Sequence, residues 1–347
     1  MLRVAIGMSG GVDSSVAAAL LKQSGFSPVG VTLKLYCPGN SADENSRDAK
    51  AVCERLGLEH ATVDLQNSFE NFVIEPFISE YISGHTPNPC IQCNRHIKFG
   101  EMLNAAEKFD CQKIATGHYA RIEKSGNKYL LKTAKDTSKD QTYVLYCLTQ
   151  EKLSRLLLPL GDYSKAEIRE MANQLGFINA EKADSQDICF VPDGDYASFI
   201  TNRTNRQFPA GNYIDTQGNI LGQHAGIIKY TVGQRKGLGI ALGRPVFVIS
   251  KNPSDNTVVL GDEDNLFYNR VLVSGVNSLL DENLDGVKAC AKLRYSQKSE
   301  PCTIHTVDDN SVILEFAKPQ RAPSPGQSAV FYNDDIVLGG GIIEKGI

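Results

Sequence analysis

Apolar and polar positions follow two rhythms along the chain, and the rhythm changes near residue 200. "RVAIGM" (3–8) is a short apolar run ending at a Ser-Gly-Gly turn. "SSVAAALLKQSG" (14–25) follows with helical spacing and a glycine stop, so the pattern predicts strand, tight loop, helix. The succession returns in "PVGVTLKLY" (28–36, strand), "SRDAKAVCERLG" (46–57, helix) and "HATVDL" (60–65, strand). It continues through "NSFENFVIEPFISEYISG" (67–84) and "NRHIKFGEMLNAAEKF" (94–109), both helical, to "QKIATGH" (112–118, strand). Strands alternating with helices predict βαβ units, hence an α/β domain with a parallel sheet covered on both faces. Past residue 200 come short β-prone runs, among them "PVFVISK", "NTVVLG", "RVLVSGV", "VKACAKLRY", "SVILEFA" and "SAVFYNDDIVLGGGII". Gly, Pro, Asn and Asp separate them, which predicts an all-β barrel or sandwich. Boundaries near 204 and 270 divide the chain into an α/β domain (1–203), a small basic central domain (204–269) and a C-terminal β-barrel (270–347).

At 347 residues the chain exceeds what one core usually accommodates, in keeping with several domains. Its composition, 41% hydrophobic and 22% charged, is that of an ordinary globular protein and speaks against disorder. The apolar run at the start is too short for a signal peptide, and no stretch approaches the roughly 20 apolar residues of a membrane span. The expectation is a cytoplasmic protein with no membrane partner. Nine cysteines without regular spacing argue against an extracellular disulfide framework. The net charge of −4 argues against a protein that coats nucleic acid. Its distribution argues the other way: Arg203, Arg206, Lys229, Arg235, Lys236, Arg244 and Lys251 face a single acid, Asp215, between residues 201 and 251.

Two stretches carry chemistry. "GMSGGVDS" (7–14) sits between the first strand and the first helix, at the carboxyl end of a strand, where open α/β sheets bind ligands. Its glycines let backbone N–H groups approach a ligand, its serines offer hydroxyls, and the helix that follows points its positive end at the loop. An oligophosphate fits. The stretch is neither a Walker A loop nor a dinucleotide fingerprint, because both GKS/T and GxGxxG are missing. "TPNPCIQCN" (86–94) sets Cys90 and Cys93 three apart. As half a zinc site the pair lacks a second adjacent pair of ligands, which Cys37, His85, His96 or Cys189 could supply. A thioredoxin-like disulfide is disfavoured because Pro87 and Pro89 are expected to extend the chain before the pair rather than place it on a helix.

Ser9-Gly10-Gly11-Val12-Asp13-Ser14 matches the SGGxDS signature of the PP-loop (N-type) ATP pyrophosphatases. "TPNPCIQCNRHIKFG", "ATGHYAR", "KDQTYVLY", "DSQDICFV", "TVGQRKGLGIA", "KLRYSQ" and "SPGQSAVFY" occur in an order that resembles the tRNA-specific 2-thiouridylases of that class along nearly the whole chain. The resemblance implies a PP-loop domain, a small central domain and a C-terminal β-barrel. It also implies ATP-dependent replacement of the C2 oxygen of the wobble uridine by sulfur in tRNAs for Lys, Glu and Gln. ATP and Mg²⁺ are the implied cofactors, and a persulfide donor protein or cysteine desulfurase is the implied sulfur partner.

Matched position by position, Cys189 corresponds to the persulfide carrier and Cys93 to the second catalytic thiol, the two ending as a disulfide. A thiolate at each is expected to need electropositive, partly exposed surroundings. Gly7, Met8, Ser9, Gly10, Gly11, Val12, Asp13, Ser14, Leu33 and Gly117 fall at ATP-contact positions. Asn88, Pro89 and Cys90 face the target base. His118, Lys139, Asp140, Gln141, Arg294, Tyr295 and Gln327 match tRNA contacts. Cys37, Cys53, Cys111, Cys147, Cys290 and Cys302 read as structural. Where the family usually has an Asp, this chain has Cys90. Cys90, Cys93 and Cys189 together therefore suggest an alternative, a [4Fe–4S] cluster delivering sulfur. The alternative from another class is a non-catalytic, nucleotide-dependent RNA-binding protein.

Overall fold

The computed structural model describes residues 1–36, 41–182 and 188–347, with the side chains of 41–43 left aside. Cys37 and the first residues of "DSQDICFV" therefore lie outside the described residues. The chain forms two compact units: residues 1–74, 89–194 and 335–338, and residues 75–88, 195–334 and 339–347.

The first unit is built on β1 (Arg3–Gly7), β2 (Ser27–Lys34), β3 (Glu59–Asp64), β4 (Lys113–Ala115) and, further along, β7 (Leu156–Leu157), with the hairpin β5 (Arg121–Ser125) and β6 (Lys128–Lys132) between the last two. The five parallel strands run in the order β3-β2-β1-β4-β7. β1 is central, its Val4, Ala5 and Ile6 fully buried, as expected of a strand covered on both faces. Helix α1 (Val12–Gln23) buries Val12, Ser14 to Ala19 and Leu21, because its run of Ser and Ala lets neighbouring elements approach closely on more than one side. Burying Val16 alone contributes about 1.5–3 kcal/mol. Helix α2 (Ser41–Leu56) crosses from β2 to β3.

The cysteine pair departs from expectation. Pro89–Gln92 is a helical turn, and Cys93–Glu101 continues it as a π-helical stretch before Met102–Glu107. The prolines do not keep the pair off a helix. Pro89 occupies the first helical position, where its missing N–H is no loss and its fixed φ favours the turn.

The second unit holds two sheets. β8 (Gly211–Ile214), β9 (Ile220–His224), β10 (Phe247–Asn252) and β11 (Thr257–Gly261) pair in the order β10-β11-β8-β9. β12 (Phe267–Ser278), β13 (Lys288–Lys292), β14 (Glu300–Asp308), β15 (Ser311–Arg321), β16 (Ser328–Asn333) and β17 (Ile336–Gly346) form an antiparallel barrel, closed by pairing of β12 with β17. Closure removes the exposed edges that an open sheet of this size would present. The helix Tyr196–Thr204 precedes β8, and β12 starts three residues before the boundary placed at 270. In the same unit Tyr81 stacks on Tyr196 at 4.4 Å and Phe77 meets Phe199 edge-on at 6.4 Å.

Candidate active site

The loop after β1 is arranged for an anion. Helix α1 has Gly11 at its N-cap and no side chain capping it, so the first backbone N–H groups remain available to a ligand. The Ser14 hydroxyl instead accepts from the Ser9 N–H at 3.2 Å and donates to the Gly11 carbonyl at 3.1 Å, holding the turn in shape. Gly117, following β4, lies against the start of α1: a Cβ there would sit 2.9 Å from the Asp13 carbonyl carbon and the Ser14 nitrogen. Leu33 is near the carboxyl end of β2, and Met8 N–H donates to Val31 at 2.8 Å, so Leu33 shares the loop's end of the sheet. The structure thus brings together the residues matched to ATP, from Gly7 to Ser14 with Leu33 and Gly117.

Four side chains around this loop escaped the sequence reading. Asp13 Oδ1 accepts from the Tyr119 hydroxyl and from Lys165 Nζ, both at 2.7 Å, and the Lys165 side chain is only 11% exposed. Lys165 opens the helix Lys165–Gln174 behind a Ser164/Glu167 capping box. A lysine in the first turn opposes the helix dipole, and "YSKAE" was the available signal that this cation has an acidic partner elsewhere. Asn179 Nδ2 donates to the Gly10 carbonyl and to Ser15 Oγ, each at 3.0 Å. Lys182 Nζ donates to Asp48 at 2.7 Å and Asn45 at 2.8 Å.

The cysteines are in contrasting settings. Cys90 is exposed, Cys93 is 8% exposed, and Cys189 is exposed. Burial pushes the Cys93 thiol up to about 11; Lys98 opposes the shift, and Cys90 and Cys147 add to it. The expectation of an electropositive, partly exposed setting fails at Cys93, because desolvation outweighs its one cation. Arg95 and Lys152 act on the buried Cys147 instead. The helical run 66–74 touches both cysteine-bearing segments: Phe69 meets Phe190, next to Cys189, at 5.7 Å, and Phe72 stacks on His96, three residues past Cys93, at 4.8 Å. Met102, further along the Cys93 helix, lies beside Gly7 of the loop. Among the described residues no three His, Cys, Asp or Glu side chains gather as a metal centre requires. The iron–sulfur alternative for Cys90, Cys93 and Cys189 thus gains no support from this arrangement.

The residues matched to tRNA divide. His118 is 7% exposed, its Nδ1 paired with Thr116 Oγ1 at 2.7 Å, and burial together with Lys98 holds it well below the ordinary imidazole range. Asp140 is buried and accepts from Ala134 N–H and Thr142 Oγ1. Both spend polar atoms on the interior in this conformation. Gln141 accepts from the Tyr119 N–H at 2.9 Å, and Lys139 is half-buried. In the second unit, Arg294 donates to the Val232 and Ala322 carbonyls and to Ser324 Oγ, and Gln327 donates to the Thr86 carbonyl at 2.6 Å. Tyr295 is 45% exposed. Of the stretch leading to the cysteine pair, Asn88 is half-buried and Pro89 buried.

A parallel-sheet domain with a pyrophosphate-type loop, followed by two β domains, defines a nucleotide-binding protein of the HUP class. Residues 2–193 match the tRNA methyl transferase HUP domain, 197–262 the tRNA methyl transferase PRC-barrel domain, and 269–343 the aminomethyltransferase beta-barrel domain. The tRNA-specific 2-thiouridylase MnmA of Clostridioides difficile strain 630 is 48% identical over 359 residues, covering 99% of both chains. That of Lachnoclostridium phytofermentans is 47% identical, covering 99% of this chain and all of its own. That of Clostridium botulinum strain Alaska E43 is 45% identical, covering 99% of this chain and 98% of its own. The chain belongs to the tRNA-specific 2-thiouridylase family. The domain descriptions speak of methyl transfer; full-length identity carries the assignment, because it spans all three domains at once.

Proposed function

We propose that this protein replaces the C2 oxygen of the wobble uridine of tRNAs for Lys, Glu and Gln by sulfur, at the expense of ATP, in the cytoplasm. The observation that carries the reading is the uncapped N-terminus of α1 behind a glycine-lined loop, in a chain so similar to thiouridylases. The uridine O2 attacks the α-phosphorus of ATP and pyrophosphate leaves, its charge received by the loop N–H groups. The outer sulfur of a Cys189 persulfide attacks C2, and AMP departs with the former O2. Cys93 then attacks Cys189 Sγ, leaving sulfur on the uridine and a Cys93–Cys189 disulfide for a thiol reductant to open. A persulfide donor protein or cysteine desulfurase reloads Cys189.

The donor set at the loop suits Mg²⁺, which takes few protein ligands and keeps much of its water: Asp13 offers a carboxylate, and Ser9 and Ser14 offer hydroxyls. Mg²⁺ bound there would neutralise phosphate charge. Lys165, already on Asp13, supplies a cation at the same place.

The test is tRNA-dependent pyrophosphate release. Asp13→Ala and Ser14→Ala are expected to abolish it while tRNA still binds, and undiminished release in both would sink the assignment. Mass spectrometry of tRNA from cells lacking the protein should show loss of 2-thiouridine. A non-catalytic RNA-binding protein would release no AMP or pyrophosphate when tRNA is added.

A further inference from the structure

The chemistry above uses only half of the cysteine pair in "TPNPCIQCN": Cys93 attacks, and Cys90 takes no step. The two stand on one helical turn. Cys90 follows Pro89 at the start of the helix Pro89–Gln92, and Gln92 keeps helical angles (φ −64°, ψ −40°), so the turn runs unbroken into Cys93. Positions three apart on such a turn have Cα atoms about 5 Å apart, inside the range of roughly 4.4–6.8 Å over which a disulfide closes. The pair is near enough for one thiol to bear on the other, since Cys90 adds to the upward shift of Cys93. Their access to solvent differs: Cys90 is exposed, whereas Cys93 is 8% exposed.

We propose that Cys90 is the resolving thiol of the sulfur-transfer cycle, a role that rests on the reading of Cys189 as sulfur carrier and Cys93 as second thiol. In a Cys93–Cys189 disulfide the Cys93 sulfur is closed to a reductant from solution by its burial. A thiol on the same turn reaches it, and an attack within one turn outruns a reductant that must first arrive. Cys90 gives its proton to water and its sulfur bonds to Cys93 Sγ. The Cys93–Cys189 bond breaks, and the electron pair, then a proton, go to Cys189. One disulfide replaces another, so no oxidant or reductant is consumed. Cys189 is returned as a thiol for the next sulfur, while the Cys90–Cys93 disulfide waits with one exposed sulfur, Cys90, for a dithiol reductant. The other thiol that bears on Cys93, Cys147, is suited less. It is 4% exposed and already donates to the Ile91 carbonyl at 3.6 Å and the Val144 carbonyl at 3.8 Å, so a disulfide on it would be sealed in the interior.

The experiment is a single turnover without reductant, because a small thiol in excess opens either disulfide. Protein loaded with sulfur by a cysteine desulfurase and cleared of small thiols is given ATP and tRNA anaerobically. It is then quenched in acid and alkylated, and its disulfides are mapped by peptide mass spectrometry. The wild type should end with Cys90 linked to Cys93 and Cys189 alkylated, in an amount that matches the thiouridine formed. Cys90→Ser should end with Cys93 linked to Cys189 and with alkylation of Cys189 lost. A wild type that ends with the Cys93–Cys189 link, or with Cys93 joined to Cys147, overturns the proposal, and that result does not depend on any variant folding. The Cys90–Cys93 link appearing to the same extent when tRNA is left out overturns it as well, since the pair would then oxidise apart from sulfur transfer. Thiouridine formed with no link at Cys93, or no thiouridine at all, overturns the underlying reading of Cys93 and Cys189 instead.

Discussion

Burial raises the Cys93 thiol to about 11, with Lys98 the cation pulling the other way, so in the free protein this residue is a thiol at neutral pH. Under the proposed mechanism a nucleophilic thiolate must then arise on engagement, when the reacting disulfide and the substrates change the surroundings of Sγ. Alkylation of Cys93 in the free protein should therefore keep rising about tenfold per pH unit from pH 7 to 10. Peptide-resolved mass spectrometry checks this, and a plateau near pH 8.5 would contradict it. The same shift has a stability consequence. Cys53 and Cys93 are raised to about 11 and Cys302 to about 12, all chiefly by burial, against about 8.5 in an unfolded chain. Above pH 8.5 the unfolded chain gives up protons that the folded one keeps, so this contribution is whole below pH 8.5 and is lost as pH rises through 11 to 12. Urea unfolding at pH 8, 9.5 and 11 should show falling midpoints, and Cys53→Ala should flatten the fall. Cys90 is exposed, stands where the family usually has an Asp, and lies near enough to Cys93 to add to its upward shift. Cys90→Asp should accordingly keep thiolation activity, whereas Cys93→Ser and Cys189→Ser should abolish it.

Gly117 shows how one element positions another. Its backbone conformation is open to any residue, so the constraint is one of space: an added Cβ would press on backbone atoms of Asp13 and Ser14, which cannot swing aside as a side chain can. Gly117→Ala should push α1 away from β4, costing about 1–3 kcal/mol and raising the KM for ATP in pyrophosphate release, while tRNA affinity is unchanged. An unaltered KM would mean that the N-terminus of α1 does not face the nucleotide. Elements of this kind were legible in the sequence. The apolar run 3–8 and the glycine loop declare a buried strand and its turn by period and composition alone. The helical turn Pro89–Gln92 was not legible, because two prolines read as extended chain, whereas the helix after it was read from 94–109 although a π-helical stretch at 93–101 departs from the 3.6-residue pattern. The hairpin Arg121–Ser125 with Lys128–Lys132 also escaped, being mixed apolar and basic without clean alternation. Lys165, Asn179 and Lys182 reach the loop from more than 150 residues away in sequence, and no local pattern encodes a partner at that distance.

A chain of net charge −4 that binds a polyanion must concentrate its cations, and the 201–251 segment does so incompletely. Arg203, Arg206, Lys229, Arg235, Lys236 and Arg244 are exposed, though Arg244 is paired with Asp262. Lys251 is different. Its ammonium donates to the Tyr230 carbonyl at 2.7 Å, and burial lowers it to about 8, so it serves the fold and not the surface. The seven basic residues counted in the sequence thus overstate the field that an RNA meets, and Arg235 with Lys236, exposed in the glycine-rich 233–239 loop, become its sharpest test. tRNA affinity should fall steeply with salt, since each phosphate neutralised releases counterions. Arg235→Ala with Lys236→Ala should weaken binding and reduce the slope of log Kd against log salt by about 1 to 2. Lys251→Met should leave the slope unchanged while altering the melting temperature, because the residue it replaces contributes packing and one hydrogen bond. Filter binding across a salt series separates these outcomes. A flat salt response in the wild type, or a slope that Lys251→Met lowers as much as the double variant does, would move the RNA-binding surface away from this segment.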